Sequence, residues 1–185
     1  MQGGADAEII AQFSDLTEKA AQRGLDHWAQ NTHGRLALII LLDQFSRSVW
    51  RDDAGAYAQD PYALSLVNEG LANDHYSSLE TPWFHIVFGL PLGHCEGLDH
   101  LHRLDLLINL REKIAASVPA SLQPIYASLV TQVRDVRKII AAFGRHPHRN
   151  GILNWKSTAG GRLHHQSPWW GQCHFRLTEF PPNMI

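Results

Sequence analysis

The chain has 185 residues, 44% hydrophobic and 18% charged, with a formal net charge of −2 when histidine is neutral. That balance suits one globular domain with a true core. It lacks the basic footprint of a nucleic-acid binder, and no Lys/Arg block points to an anionic membrane surface.

The opening "MQGGADAEII" has no basic stretch followed by a long apolar run, so no signal peptide is expected. Asp6 is expected to cap a helix whose apolar positions Ile9, Ile10, Phe13, Leu16 and Ala20 recur at helical spacing, with Gly24 ending it. "THGRLALIILLDQFSRSVW" is apolar all round from Leu36 to Leu42 and reads as a buried central helix. In "DPYALSLVNEGLA", Asp60 is expected as N-cap with Pro61 at the first helical position. Thr81 and Pro82 open the next helix in the same way. Pro91 predicts a kink or break, followed by a helix to about Lys113. The last clear helix carries Tyr126, Leu129, Val130, Val133, Val136, Ile140 and Phe143 on one stripe. No segment before Asn150 reads as a strand. The expected organisation is one helical domain over 1–158 and an irregular Trp/His-rich tail over 159–185.

Three clusters carry the candidate chemistry. In "LLDQFSRSVWR", Asp43 and Arg47 stand one turn apart at the end of the buried run, which reads as a salt bridge or as a carboxylate that orients a cation from another helix. In "LPLGHCEGLDH", a helix resuming near Gly93 would turn His94 inward with Leu98, Leu101 and Ile108. Glu96, Asp99, His100 and Arg103 would then lie on the polar side, with Glu96 and His100 as an i,i+4 pair. In "FGRHPHRN", Gly144 and Pro147 are helix-ending residues. Arg145, His148, Arg149 and Asn150 exceed what a helix terminus requires, and suit a carboxylate or phosphate. Cys95 and Cys173 have no knuckle or redox spacing and fit free thiols in a reducing, cytoplasmic setting. No His-Glu-x-x-His spacing, phosphate loop or Gly-x-Ser-x-Gly elbow occurs, so no metal is expected and no cofactor is named.

"DAEIIAQFSDLTEKAAQRGLDHW", "GRLALIILLDQFSRSVWR", "LPLGHCE" and "FGRHPHRNGIL", in that order, resemble the bacterial domain-of-unknown-function family 924. The resemblance runs from about Asp6 to Thr158 and implies an all-helical, TPR-like fold of about five to seven helices. It also implies that residues matching Asp43, Gln44, Phe45, Arg47, His94, Glu96, Gly144, Arg145, Pro147, His148, Arg149 and Asn150 meet around one pocket, with Glu96 turned inward beside His94. Ser46, Cys95 and His146 stand where the family usually has Pro, Ser and an apolar aromatic. After "STAGG" the family's acidic helix is replaced by the Trp/His-rich tail.

The leading functional expectation is a protein that binds a small polar or anionic ligand, with hydrolysis of that ligand left open. In it, Arg145 and Arg149 hold negative charge and His94 or His148 exchanges protons, while Glu96 and Asp43 orient those partners. The alternative is a TPR-like scaffold whose groove holds a peptide or protein without catalysis.

Overall fold

The computed structural model of the chain describes residues 3–156, with side chains from residue 6 onward. The expected tail over 159–185 and Cys173 lie outside the described residues. Within them the chain is all-helical and no strand occurs. The α-helices are α1 (Gly3–Ala21), α2 (Thr32–Ile39), α3 (Ser46–Val49), α4 (Gly55–Ala58), α5 (Asp60–Ala72), α6 (Pro82–Phe88), α7 (Leu90–His94), α8 (His100–Ser117) and α9 (Gln123–Phe143). None of the described helices is long and apolar enough to cross a membrane.

Residue types at the helix ends explain most of these bounds. Thr81 caps α6 as expected, its hydroxyl accepting from the Phe84 N–H. Asn31 does the same for α2, accepting from the Gly34 N–H at 2.8 Å. Gly144 ends α9 at φ 72°, a left-handed turn that glycine enters without a Cβ penalty. Both expected termini of α1 differ. Asp6 lies inside the first turn of α1, which starts at Gly3. Its carboxylate accepts from Ser48 Oγ at 2.7 Å and from Arg51, so it pins α1 to the end of the central rod instead of capping. The left-handed residue after α1 is Arg23, at φ 67°, and not Gly24.

The central rod runs continuously from α2 into α3 through a π-helical turn at Ile40–Phe45. Leu36, Leu38, Ile39, Leu41 and Leu42 on this rod are each at most 4% exposed. They meet Ala63, Leu66 and Val67 of α5, Phe88 and Leu92 of α6 and α7, Leu104 and Leu107 of α8, and Val133 and Ile140 of α9. Each fully buried aliphatic side chain of this kind contributes about 1.5–3 kcal/mol, so the rod is the mechanical centre of the fold. A smaller apolar cluster of Ile86, Ile114, Val118 and Tyr126 closes the far end of α8 and α9. These two helices form the most extensively packed pair. They run antiparallel: Arg137 meets Asp105, and Arg134 meets Glu112.

Candidate functional site

The chain breaks at the predicted place: α6 ends at Phe88, and Pro91 sits in the first turn of the short α7. The helix then stops at His94 instead of resuming near Gly93, and Cys95 is extended. That second break reverses the expected facing. Leu98 is fully exposed, whereas His100 and Arg103 are 1% and 4% exposed. The i,i+4 pair of Glu96 and His100 does not form. His100 Nε2 instead donates to the Gly93 carbonyl at 2.9 Å, and Arg103 donates to the carbonyls of Leu92 and Cys95. Together they satisfy carbonyls left open by the end of α7.

His94 is thereby set on the end of α7, facing the π-helical turn. Its Nδ1 lies 2.9 Å from Asp43 Oδ2 and 3.0 Å from Oδ1. Asp43 is completely buried. Burial alone would raise its pKa; the His94 ring, Arg47 at 3.7 Å and the Gln44 amide at 2.5 Å overturn that and hold it at about 2. An ionised carboxylate accepts, so Nδ1 carries the proton of this bond, and in the neutral ring Nε2 is then the acceptor. The π-helical turn matters here, because it sets Asp43 and Gln44, neighbours in sequence, together at this pair.

Asp60 forms the second node. It was expected as a cap, but it is the first residue of α5, 3% exposed, and an acceptor for two arginines. Arg47 Nη2 donates to Oδ1, and Arg149 Nη1 donates to Oδ2 at 2.9 Å. Arg47 also donates to the Ala56 carbonyl. The Tyr57 ring lies against both guanidinium groups, 4.7 Å from that of Arg47 and 4.4 Å from that of Arg149. Glu96 is turned inward, as the family resemblance implied and the helical phase did not. Its Oε1 accepts from the His146 N–H at 2.9 Å and stands 4.0 Å from Arg149. Burial raises the Glu96 pKa against the lowering influence of these two donors.

The loop "FGRHPHRN" closes over this node. Pro147–Arg149 is one turn of 3₁₀ helix. His146 is buried, with its Nε2 donating to the Gly93 carbonyl at 3.0 Å, the acceptor it shares with His100. Asn150 is 4% exposed, and its carbonyl accepts from the Trp155 N–H at 2.8 Å. Arg145 takes a different course: it donates to the Lys156 carbonyl at 2.9 Å and stacks on Trp155.

These elements enclose a cavity of about 120 Å³. Gln44, Arg47, Tyr57, His94, His148 and Arg149 line its polar end, while Leu90, Leu104, Leu107, Val133 and Val136 form an apolar band. Of the eight residues singled out from the sequence, Arg47, His94, His148 and Arg149 line the cavity. Asp43 and Glu96 support it from behind. Arg145 and Asn150 do not line it. Asp60, Tyr57, Arg111 and Gln132 were missed. Asp60 looked like a helix start, and the other three have no signal in a single sequence. Among the described residues, no group of three or more His, Cys, Asp or Glu side chains is arranged to hold a metal ion.

The family described as bacterial protein of unknown function (DUF924) matches residues 2–164. A solved structure of a protein of unknown function from Agrobacterium tumefaciens is similar, at 30% identity and a TM-score of 0.73, over 87% of this chain and 83% of that one. No curated protein matches.

Proposed function

We propose, for a chain that belongs to the bacterial DUF924 family of proteins of unknown function, that the cavity binds a small polar or anionic ligand and hydrolyses it. The observation that carries this reading is the His94–Asp43 pair. A fully buried carboxylate fixes one ring nitrogen of a histidine that lines the cavity, so the other nitrogen is kept as a proton acceptor in a set orientation. In this role Nε2 takes a proton from a water molecule attacking the ligand, and Asp43 stabilises the imidazolium that results. Arg47 and Arg149 fix the wall through Asp60, and His148 also lines the cavity as a second group able to exchange a proton.

A peptide-binding scaffold calls for an open apolar groove. The convergence of Gln44, Arg47, His94, His148 and Arg149 on one cavity favours a small molecule instead. The test is the melting temperature of wild type and His94→Ala against phosphorylated and carboxylated metabolites, followed by product release from whatever binds. A ligand-dependent rise in wild type that is lost in the variant is the expected result. A cooperatively folding wild type that no compound stabilises would overturn the reading.

A further inference from the structure

Two imidazoles converge on the Gly93 carbonyl near the end of α7. His100, in the first turn of α8, donates to it through Nε2 at 2.9 Å, and His146, on the loop after α9, donates through its own Nε2 at 3.0 Å. The two rings lie 5.3 Å apart. In each, the remaining nitrogen Nδ1 is buried and meets no hydrogen-bond partner among the described residues. Both rings are therefore neutral in the closed fold. A second proton would place an N–H and a charge on Nδ1, where nothing receives either.

The charges around the rings reinforce this. Arg103, Arg149 and His94 act on His100, while Arg149 and His148 act on His146. The neighbouring carboxylates are engaged elsewhere. Asp99 holds Arg103 at 3.0 Å, and Asp60 on α5 accepts from Arg47 and Arg149. Glu96 accepts from the His146 N–H and stands 4.0 Å from Arg149. Burial raises the Glu96 pKa, so acid removes the charge that helps to hold the loop.

His100 and His146 differ in how firmly they are carried. His100 belongs to α8, which packs along α9. His146 belongs to a short segment between Gly144 and Gly151, and a Cβ at either glycine would meet nothing within 4 Å. Three ties fasten this segment to other elements: the ring on Gly93, the backbone N–H on Glu96, and Arg149 on Asp60. Because Gly93 has two donors, the His146 ring can leave while His100 keeps the carbonyl satisfied.

We propose that segment 144–150 is an acid-released latch on the cavity. A proton on His146 detaches the segment from Gly93, Glu96 and Asp60 and withdraws the part of the cavity wall formed by His148 and Arg149, while the helices stay packed. The latch is a property of the fold and goes beyond the ligand-binding reading, which can fail without it. The open segment takes up its proton near the ordinary histidine pKa of 6.5, and the closed one only well below that. Opening is therefore insensitive to pH above about 7 and becomes about tenfold more favourable for each unit below about 6.5.

The experiment is amide hydrogen exchange, corrected for the pH dependence of the intrinsic rate, on wild type and His146→Phe. The reporters are the amides of residues 146, 149 and 150, which donate to Glu96 and to the carbonyls of His146 and Pro147 in the closed loop. In wild type their protection should fall by about tenfold per pH unit below about 6.5, while amides 38–42 of the central rod stay protected. His146→Phe keeps a ring in place without a titrating group, so its protection should be flat over the same range. An unchanged wild type, an equal loss in both proteins, or a loss at 38–42 in step with the loop overturns the latch. Should His146→Phe not fold, wild type alone decides. The nitrogen resonances of the His146 ring should report protonation over the pH range in which protection disappears, and protection lost with that ring still neutral overturns the proposal.

Discussion

Two buried arginine sites in this chain look alike in burial and differ in everything else. Arg35 is 4% exposed and makes four side-chain hydrogen bonds: it donates to the carbonyls of Ala29 and Leu66, to Glu69 and to the His75 ring. Those partners lie between residues 29 and 75, and Arg35 does not line the cavity. Arg149, also 4% exposed, reaches 89 residues back to Asp60, lies against Tyr57 and lines the cavity beside His94. The first arginine is a pin that stitches α2 to α5. The second holds a wall in place around a space. Burial of the charge does not separate the two arginines; adjacency to an open space and to a histidine paired with a buried carboxylate does.

The largest effect is expected on the Arg35 side. Arg35→Ala leaves the Leu66 and Ala29 carbonyls without their donor and should lower unfolding stability by about 4 kcal/mol, measured by urea denaturation. Ligand-induced stabilisation should persist at temperatures where the variant is folded. Loss of that stabilisation would break the distinction drawn above.

Asp60→Asn removes the charge that two guanidiniums share, and should cost about 3 kcal/mol. Unlike the Arg35 variant, it should also speed amide hydrogen exchange at 147–150 and abolish ligand binding. A variant that keeps its ligand response would show that Asp60 is only another pin.

Acidification comes next. Burial, with Arg103 and Arg149 nearby, pushes His100 down to about 4 from an ordinary 6.5, and burial drives His146 well below its usual range. A histidine whose folded pKa is depressed takes up its proton more readily in the unfolded chain. Stability should therefore fall as pH drops from about 6.5 toward 4, by about 2–3 kcal/mol for His100 alone. Asp43 runs the other way along the scale: its stabilisation is complete above the ordinary carboxylate pKa of 3.8 and is lost only as pH falls through about 2. A His100→Gln variant should flatten the decline of melting temperature between pH 7 and 5, and an unchanged slope would assign the decline elsewhere.

The smallest contrast uses two glycines. A Cβ on Gly70 would lie 2.4 Å from Phe88 Cζ and 2.9 Å from Arg35 Cδ, so Gly70→Ala should cost about 2 kcal/mol despite its better helix propensity. On Gly93 the nearest atom is a Leu107 methyl at 3.2 Å, free to move toward the cavity. Gly93→Ala should be close to neutral in melting temperature.

Where local signals were legible, their causes are local; the cap signals of Asp6 and Asp60 failed because each carboxylate is taken by a distant arginine. Thr81 with Pro82, Gly144 after an apolar stripe, and Pro91 inside a helical pattern each act within a turn of chain, and each was read correctly. The facing of His100 and Arg103 was not, because the helical phase was carried across Cys95–Asp99, where the chain leaves the helix. The site itself was half legible. The cluster chemistry picked out His94, Arg47, His148 and Arg149, whereas the pairing of His94 with Asp43 spans 51 residues and leaves no trace in spacing. Arg111 and Gln132 were invisible for a related reason: on antiparallel helices, residues that share a wall need share no pattern.

The bond from Arg149 to Asp60 also sets an order of events during synthesis. Every other wall of the cavity has left the ribosome before residue 146, yet Asp60 lacks its second cation and Gly93 its second imidazole until the final short loop emerges. A nascent chain stopped at Phe143 would carry the apolar core and the oriented His94, with one side still open to water. Closing so long a loop is entropically slow compared with forming the helices it joins. The chamber is thus among the last features of the described fold to come into being, and a ligand waiting there would meet the protein just as the door is hung.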